Sequence, residues 1–277
     1  MIKRFYVTAL CFFLPISAWA ESYSFGILPH RSAVLTAQYW NPILDYVSKK
    51  SGVTLELVTR KTSQEFSDLG ATGKFDFVYD SHIFAPSHAA AAYRVIARMV
   101  GQPIHGQIVV PETSPIHSIN ELEGKEVGFA NKLGPIGYAS PMSALLKAGI
   151  QITPVFGGNQ EGIMGQLRSG TVLAAGVNSR VMKEYAAREQ FKYRSLWTSE
   201  ELPDLPIAAH PRVPTQVINA VQTALTGMAA NPEGLKILKK SAAVIKQDPP
   251  LGFVTANDSE YQHYRAAYRA IQPKETH

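Results

Sequence analysis

The chain has 277 residues, of which 27 are Lys or Arg and 22 are Asp or Glu, so its formal charge is +5. This excess is mild, and no basic run is interleaved with aromatic residues. The composition therefore gives no support to nucleic-acid binding, and we expect no such partner. The single cysteine, Cys11, lies near the start of the chain. A chain that loses this segment has no disulfide and depends on a core that its length allows it to build.

The first twenty residues have the pattern of a secretory signal peptide. Lys3 and Arg4 precede the apolar run Phe5–Ser17, and Ala18–Ala20 provides the small residues that a signal peptidase recognises. The apolar run is short for a membrane span, although a retained anchor stays open as the alternative. Cleavage would remove two of the 27 basic residues and none of the 22 acidic ones, leaving a formal charge of +3. We therefore expect residues 21–277 to be released into the periplasm as one or two domains.

Predicted strands and helices alternate after the leader. Period-two and helical spacings of apolar residues predict strands at Tyr23–Leu28, Val53–Val58 and Phe75–Tyr79, with helices at Gln38–Lys50 and Ser63–Ala71. A strand–helix–strand order requires crossover connections and parallel pairing. We therefore expect an α/β fold.

Polar and aromatic side chains follow the first and third of these strands. His30 and Arg31 come just after the first strand, whereas Ser81 and His82 come just after Tyr79. Ligands of open α/β sheets bind beyond the carboxyl ends of the strands, so these positions are candidates, although ordinary turns use similar residues. Aromatic rings such as those of Tyr39 and Tyr79 would suit a flat or cationic ligand.

The same pattern begins again further along the chain and indicates a second lobe. Predicted strands lie at Gln107–Val110, Glu126–Ala130, Gln151–Phe156 and Val172–Val177, and a predicted helix at about Ala139–Ala148 ends before Gly149. The last of these strands is followed by Asn178.

Short motifs along the chain carry a resemblance to a known family. They are Gly26–Pro29, Trp40–Pro42, Asp45–Val47, Gly73–Asp76, Ile119–Lys125, Gly137–Pro141 and Asn231–Gly234. Each is weak alone, but their shared order over about Tyr23–Tyr264 resembles the phosphonate-binding-protein-like family, the periplasmic substrate-binding components of ABC transporters.

The resemblance implies a type II periplasmic-binding-protein fold, with two α/β lobes around a ligand cleft and a two-segment hinge. Lobe one would contain residues 21–107 and 206–277, and lobe two residues 108–205. The implied function is to capture a small ligand, phosphonate-like, oxyanion-like or a less charged organic compound, and to deliver it to an ABC permease. The alternative is a ligand sensor that signals to a membrane kinase or cyclase.

The resemblance also implies where the ligand lies, and this chain departs from the family there. The family's Ser-Thr-Ser-Gly-Tyr anion loop at a helix start appears as Gly134–Tyr138, which keeps Gly137 and Tyr138 but has no hydroxyl before them. The family's histidine after a glycine loop appears as Asn159, and the acidic residue after the next strand as Asn178. A further family carboxylate would fall at Asp204 or Leu205.

These departures favour a ligand with little charge. A phosphonate dianion needs several charge-assisted donors to offset its lost hydration, and hydroxyls and a histidine are missing here. We expect the backbone N–H groups of Ile136, Gly137 and Tyr138 to hold a partly apolar solute beside the Ile136 side chain, and a weakly bound monoanion stays open. The full set of expected ligand contacts is Tyr39, Tyr79, Ser81, His82, Ile136, Gly137, Tyr138, Asn159 and Asn178.

No motif indicates catalysis or a cofactor. The sequence has no Gly-x-Ser-x-Gly elbow, phosphate-binding Gly-rich loop or His-Glu-x-x-His pattern. The histidines at 30, 82, 88 and 105 have no established metal-ligand spacing. We therefore expect a monomeric binding protein without a metal or cofactor, and not an enzyme.

Overall fold

The computed structural model describes residues 21–271. The predicted signal peptide, residues 1–20, lies outside the described residues. In the described part of the chain, no helix has the length and apolar character that crossing a membrane requires.

Eleven strands and eight α-helices make up the described fold. In chain order the strands are β1 (Ser22–Ile27), β2 (Thr54–Val58), β3 (Phe77–Tyr79), β4 (Arg94–Met99), β5 (Gly106–Pro111), β6 (Glu126–Phe129), β7 (Thr153–Phe156), β8 (Ala175–Asn178), β9 (Tyr193–Thr198), β10 (Pro206–Ala209) and β11 (Phe253–Thr255). The α-helices are α1 (Ala33–Ser51), α2 (Ser63–Ala71), α3 (Ser140–Lys147), α4 (Gln160–Arg168), α5 (Ser179–Glu189), α6 (Thr215–Thr226), α7 (Pro232–Ile245) and α8 (Gln262–Ile271). Short 3-10 helices lie at His82–Phe84, Pro86–Ala91, Ile119–Leu122, Met228–Ala230 and Asp258–Tyr261, and a π-helical turn at Pro135–Ala139.

The strands form two separate sheets. The first has the order β11-β4-β10-β3-β1-β2 and the second has the order β7-β6-β8-β5-β9. In the first sheet β1 pairs in parallel with β2 and β3, as the strand–helix–strand order predicts, whereas the returning strand β10 is antiparallel to β3 and β4. In the second sheet β6 is parallel to β7 and β8, and β5 is antiparallel to β8 and β9. The predicted α/β fold with two lobes is therefore confirmed.

Helix α1 shows how the sequence builds the first lobe, which consists of residues 22–99 and 206–261. Its apolar stripe of Trp40, Ile43, Leu44 and Val47 is buried, and this spacing predicts the helix. The helix begins before the predicted Gln38 because the Ser32 hydroxyl accepts a hydrogen bond from an N–H of the first turn. Trp40 is thus a core residue of the first lobe.

Two crossing segments, residues 100–105 and 199–205, connect the first lobe to the second lobe, which consists of residues 106–198. They pair with each other at Ile104 and Leu202, where the Leu202 N–H donates to the Ile104 carbonyl over 2.7 Å. Helix α8 contacts α3 and the Pro135–Ala139 turn of the second lobe. The lobe boundaries at 107/108 and 205/206 stay a prediction, although β5 begins at Gly106 in the second sheet.

Candidate ligand-binding cleft

A cavity of about 20 Å³ lies between the two lobes. The first lobe and the crossing segment contribute Leu28, His30, Ser63, Ser81, His82 and Leu205, and the second lobe contributes Asn131, Gly134, Pro135, Ile136, Gly137, Gln160 and Asn178. We call this space the cleft. A volume of this order holds about one water molecule, so the two walls are close together.

Backbone hydrogen bonds join the lobes around the cleft. The Ser63 N–H donates to the Gly158 carbonyl over 2.9 Å, and the Glu161 N–H donates to the His30 carbonyl over 3.0 Å. The Ser32 N–H also donates to the Glu161 carboxylate over 3.0 Å. The lobes are therefore in a closed arrangement.

Several helices begin at the cleft wall. Helix α2 starts at Ser63, α4 at Gln160 and α5 at Ser179, directly after Asn178. The N-terminus of a helix carries a partial positive charge and N–H groups without partners in the helix. Caps and contacts between the lobes already pair most of these N–H groups, so the helix starts contribute mainly a partial positive charge that favours an acceptor or an anionic group.

The Pro135–Ala139 turn rests on two glycines of the second sheet. A Cβ built on Gly106 would lie 2.5 Å from the Ile136 carbonyl oxygen, and one built on Gly176 would lie 2.7 Å from the Gly137 carbonyl oxygen. Both carbonyls therefore point into the sheet. In a helical turn the N–H groups point the opposite way, so those of Ile136 and Gly137 face away from the sheet.

These two N–H groups have no acceptor within residues 21–271. The Tyr138 N–H, in contrast, donates to the Gly134 carbonyl over 3.0 Å within the turn. This N–H is therefore paired within the turn, and a contact of Tyr138 with a ligand stays a prediction. The donors of the turn are Ile136 and Gly137.

Two carboxamides add donors to the second-lobe wall. The Asn178 Oδ1 caps α5 by accepting from the N–H of Arg180 over 3.0 Å and from that of Val181 over 3.4 Å. Its buried Nδ2 has no partner in the part of the chain that the structure describes. The Gln160 Oε1 accepts from the Asn178 N–H over 3.2 Å, and the Gln160 Nε2 lies against Gly137. Both carboxamides use their oxygens in the protein and leave their NH₂ groups for a ligand.

The two histidines of the cleft are neutral. Burial, with a smaller contribution from the nearby His88, lowers the pKa of His82 to about 3. Burial also places the pKa of His30 well below its usual value, with added contributions from the positive charges of Arg31 and Arg180. Since the described cleft lining includes no Lys, Arg, Asp or Glu, the cleft has no formal charge of its own.

The polar floor below the cleft belongs to the first lobe. Asp80 accepts from the His82 N–H over 2.8 Å, and the Ser67 hydroxyl contacts the His82 Nδ1. Burial outweighs the hydrogen bond from the His82 N–H and raises the pKa of Asp80 to about 7. Among the described residues, no group of three or more His, Cys, Asp or Glu is placed to hold a metal ion.

Four of the predicted contacts lie outside the cleft lining. Tyr39 donates to Gln247 over 2.8 Å, and Tyr79 contacts Arg180 and Asp204. Both tyrosines line a separate void of about 10 Å³. The other two residues are Tyr138, whose ring packs 5.0 Å from Phe129 and 5.8 Å from Phe156, and Asn159, which caps α4 by accepting from Gly162 over 2.8 Å.

The structure brings the other five predicted contacts together at the cleft: Ser81, His82, Ile136, Gly137 and Asn178. It adds Ser63, Asn131 and Gln160, which the prediction did not include, and His30, which the strand-end argument named as a candidate but the set of expected contacts left out. Ser63 and Gln160 are the first residues of their helices, so the helix-start argument that selected the 134–138 loop could also have selected them. Of the two candidates for the family carboxylate, Leu205 faces the cleft and Asp204 is paired with Arg180.

A family model described as an ABC transporter, phosphonate, periplasmic substrate-binding protein matches residues 25–261. No curated protein sequence matches the chain. The fold is similar to that of a binding protein component of an ABC phosphonate transporter from Pseudomonas aeruginosa, with 15% identity, 91% of this chain and 88% of that chain covered, and a TM-score of 0.74.

Two other solved structures share the fold. PhnD1 from Prochlorococcus marinus, in complex with methylphosphonate, has 13% identity, covers 91% of this chain and 98% of its own, and gives a TM-score of 0.75. The periplasmic aliphatic sulphonate binding protein SsuA from Escherichia coli has 16% identity, covers 94% of each chain and gives a TM-score of 0.55.

Proposed function

Since the chain belongs to the family of periplasmic substrate-binding proteins of ABC phosphonate transporters, we propose that its cleft binds a small solute that is rich in hydrogen-bond acceptors and carries at most one negative charge. The protein would pass this solute to the membrane permease of an importer. One observation carries the proposal: the described cleft lining offers N–H and NH₂ donors but no charged side chain.

The donors suit an oxygen-bearing group. The N–H groups of Ile136 and Gly137 and the Nδ2 of Asn178 have no partner among residues 21–271, and an ionised acceptor would strengthen each hydrogen bond. Partial charges at helix N-termini stabilise a single negative charge. A dianion would lose much more hydration on entering a closed cleft, and no cation in the lining would offset that loss.

The apolar walls limit the rest of the solute. Leu28 and Leu205 line one side of the cleft and Ile136 the other, so these walls, once parted to admit a solute, would offer apolar surface to a short alkyl group. Methylphosphonate in its singly charged form and methanesulfonate have these properties. They serve as probes of the proposal.

Transport is favoured over signalling, because the family serves importers and no observation supports a sensor. We further propose that the protein works as a monomer, since both walls of the cleft come from one chain. It would bind its solute without converting it and would bind no nucleic acid. Removal of residues 1–20 by signal peptidase would release it into the periplasm.

Calorimetry at two pH values tests the ligand class. Methylphosphonate would be titrated into the mature protein at a pH that leaves it singly charged and at a pH that removes its second proton. We expect binding to weaken at least about tenfold, or about 1.4 kcal/mol, when the ligand becomes a dianion. Methanesulfonate, whose charge stays constant, controls for changes in the protein. Tighter binding of the dianion would refute the proposal.

Native mass spectrometry of freshly purified protein would identify a solute that co-purifies with it. Uptake of that solute by cells should stop when the protein is deleted. Unchanged uptake would contradict a transport role.

A further inference from the structure

A buried ion pair lies directly behind the cleft. Asp204 precedes the cleft residue Leu205, and Arg180 follows the cleft residue Asn178 by two positions. The two segments are also joined locally, because the Arg180 N–H donates to the Asn178 Oδ1 over 3.0 Å. The side chains of Arg180 and Asp204 are 12% and 5% exposed, so water screens their charges poorly.

Both oxygens of Asp204 are used within the protein. The Arg180 Nη1 contacts Oδ2, and the Arg180 Nη2 donates to Oδ1 over 2.9 Å. The Leu205 N–H donates to Oδ1 over 2.6 Å, and the Tyr79 hydroxyl lies 3.3 Å from the same atom. Asp204 is therefore held by partners within the protein.

The charges around this pair balance. On the other side of Arg180, the Glu184 Oε1 lies 3.9 Å from its Nε, and Glu184 also pairs with Arg31. The group contains two guanidinium groups and two carboxylates. Removal of Arg180 would leave one uncompensated negative charge next to a cleft that has no charged lining residue.

We propose that Arg180 determines the charge specificity of the cleft, acting as the internal counter-ion of Asp204 so that a negatively charged solute is not repelled. This inference rests on the proposed function. Through a poorly screened interior, a single carboxylate repels an anion over several ångströms more strongly than it would in water. Arg180 needs no contact with the solute for this role.

A purely structural role predicts a different result. If the pair only held the lobes together, its loss would lower the affinity for every solute by the same factor. A charge-setting role changes the ratio between solutes of different charge. Methanesulfonate and methanesulfonamide have similar shapes and differ by one negative charge, so the ratio of their affinities separates the two roles.

Calorimetry on the full mature protein would compare this ratio in four variants. In Arg180→Met the preference for methanesulfonate should fall at least about tenfold, or about 1.4 kcal/mol. It should return in the Arg180→Met/Asp204→Asn double variant, which removes both charges, and persist in Arg180→Lys, which keeps the charge. Asp204→Asn alone should raise the preference for methanesulfonate over methanesulfonamide. If Arg180→Met does not fold, this variant tests the proposal in its place.

His30 gives a readout that needs no solute. Burial and the charges of Arg31 and Arg180 keep the pKa of His30 well below its usual value. NMR titration should show this pKa rising in Arg180→Met, because the charge of Arg180 lowers it. An unchanged affinity ratio and an unchanged His30 pKa in folded variants would overturn the inference. A wild-type protein that binds neither solute would instead refute the proposed function, while the His30 titration would still test the charge effect of Arg180.

Discussion

Replacement of Gly137 by alanine tests the geometry of the cleft most directly. A Cβ at this position would lie 2.5 Å from the Gln160 Nε2, with its other near neighbours 3.5 Å and 3.6 Å away in Val177 and Asn178. Packed atoms of this kind stay about 3.5 Å apart, so the Gln160 amide must retreat by roughly 1 Å. Gln160 is buried, and its movement would break the 3.2 Å hydrogen bond from Asn178 to its Oε1.

The magnitude follows from that broken bond. Leaving a buried hydrogen-bonding group without its partner costs about 1–3 kcal/mol. Gly137 is absent from the positive-φ glycines, so alanine fits its backbone and recovers about 0.4–1 kcal/mol through the unfolded chain. The net loss of stability should therefore be about 0–2.6 kcal/mol. The added methyl group and the displaced amide should weaken methanesulfonate binding by about 10–100-fold, or 1.4–2.8 kcal/mol.

Urea unfolding and calorimetry would measure the two effects separately. Gly165→Ala is the matched control, because it adds the same methyl group on α4, where the nearest atom is the Tyr185 hydroxyl at 3.9 Å. The double variant Gly137→Ala/Gln160→Ala removes the clash but also the acceptor of the Asn178 N–H, so it should be no more stable than Gly137→Ala and should bind weakly because the amide donor is gone. Wild-type affinity in a stable Gly137→Ala variant would show that the turn and Gln160 do not form the binding wall.

Other parts of the molecule give separate tests. Asn178→Asp keeps the cap of α5 but places a buried carboxylate where a donor stood, so methanesulfonate affinity should fall at least about tenfold and burial of the unpaired charge should lower the thermal stability; equal affinity would exclude Asn178 as a donor. Acidification from about pH 6.5 to 4 has two opposing effects on the stability of the fold. Folded Asp80, with a pKa of about 7, takes up a proton more readily than it does in the unfolded chain, and this stabilises the fold. Folded His82, with a pKa of about 3, stays unprotonated while the unfolded chain takes up a proton, and this destabilises the fold. Asp80→Asn removes the stabilising part, so its unfolding free energy should fall by up to about 1.4 kcal/mol per pH unit relative to wild type in urea titrations, and parallel profiles would contradict this. Glu184→Gln breaks a buried ion pair in which the side chains of Glu184 and Arg31 are 3% and 11% exposed. The free energy of unfolding in urea should fall by about 3–5 kcal/mol, and a loss below about 1 kcal/mol would mean that the pair contributes little.

The regular elements of the first lobe were predictable because their apolar periodicity is clear. The predicted helix Ser63–Ala71 has the bounds of α2, since Thr62 supplies a side-chain cap that accepts from the Glu65 N–H. No strand was predictable at Pro206–Ala209, because four small or apolar residues show no alternation. Its strand state depends on β3 and β4, which lie more than 100 residues earlier in the chain and pair on either side of it.

The direction of side chains was harder to predict from the sequence than the position of the backbone. Tyr79 ends its strand as predicted, yet its hydroxyl contacts Arg180 and Asp204, which no local pattern connects to it. Tyr138 lies at the predicted helix start, but its ring packs against Phe129 and Phe156. Strand-end and helix-start arguments locate the cleft in the chain, whereas the neighbours that divert each ring come from distant segments.

The packing of the Pro135–Ala139 turn against Gly106 and Gly176 affects the free energy of solute binding. Two paired strands of the sheet fix the position of the backbone donors. These donors therefore lose little conformational freedom when a solute binds. Such preorganisation means that a change of solute during evolution would come from exchanging the side chains around a stationary backbone. The backbone N–H groups of the turn would keep their position on the sheet.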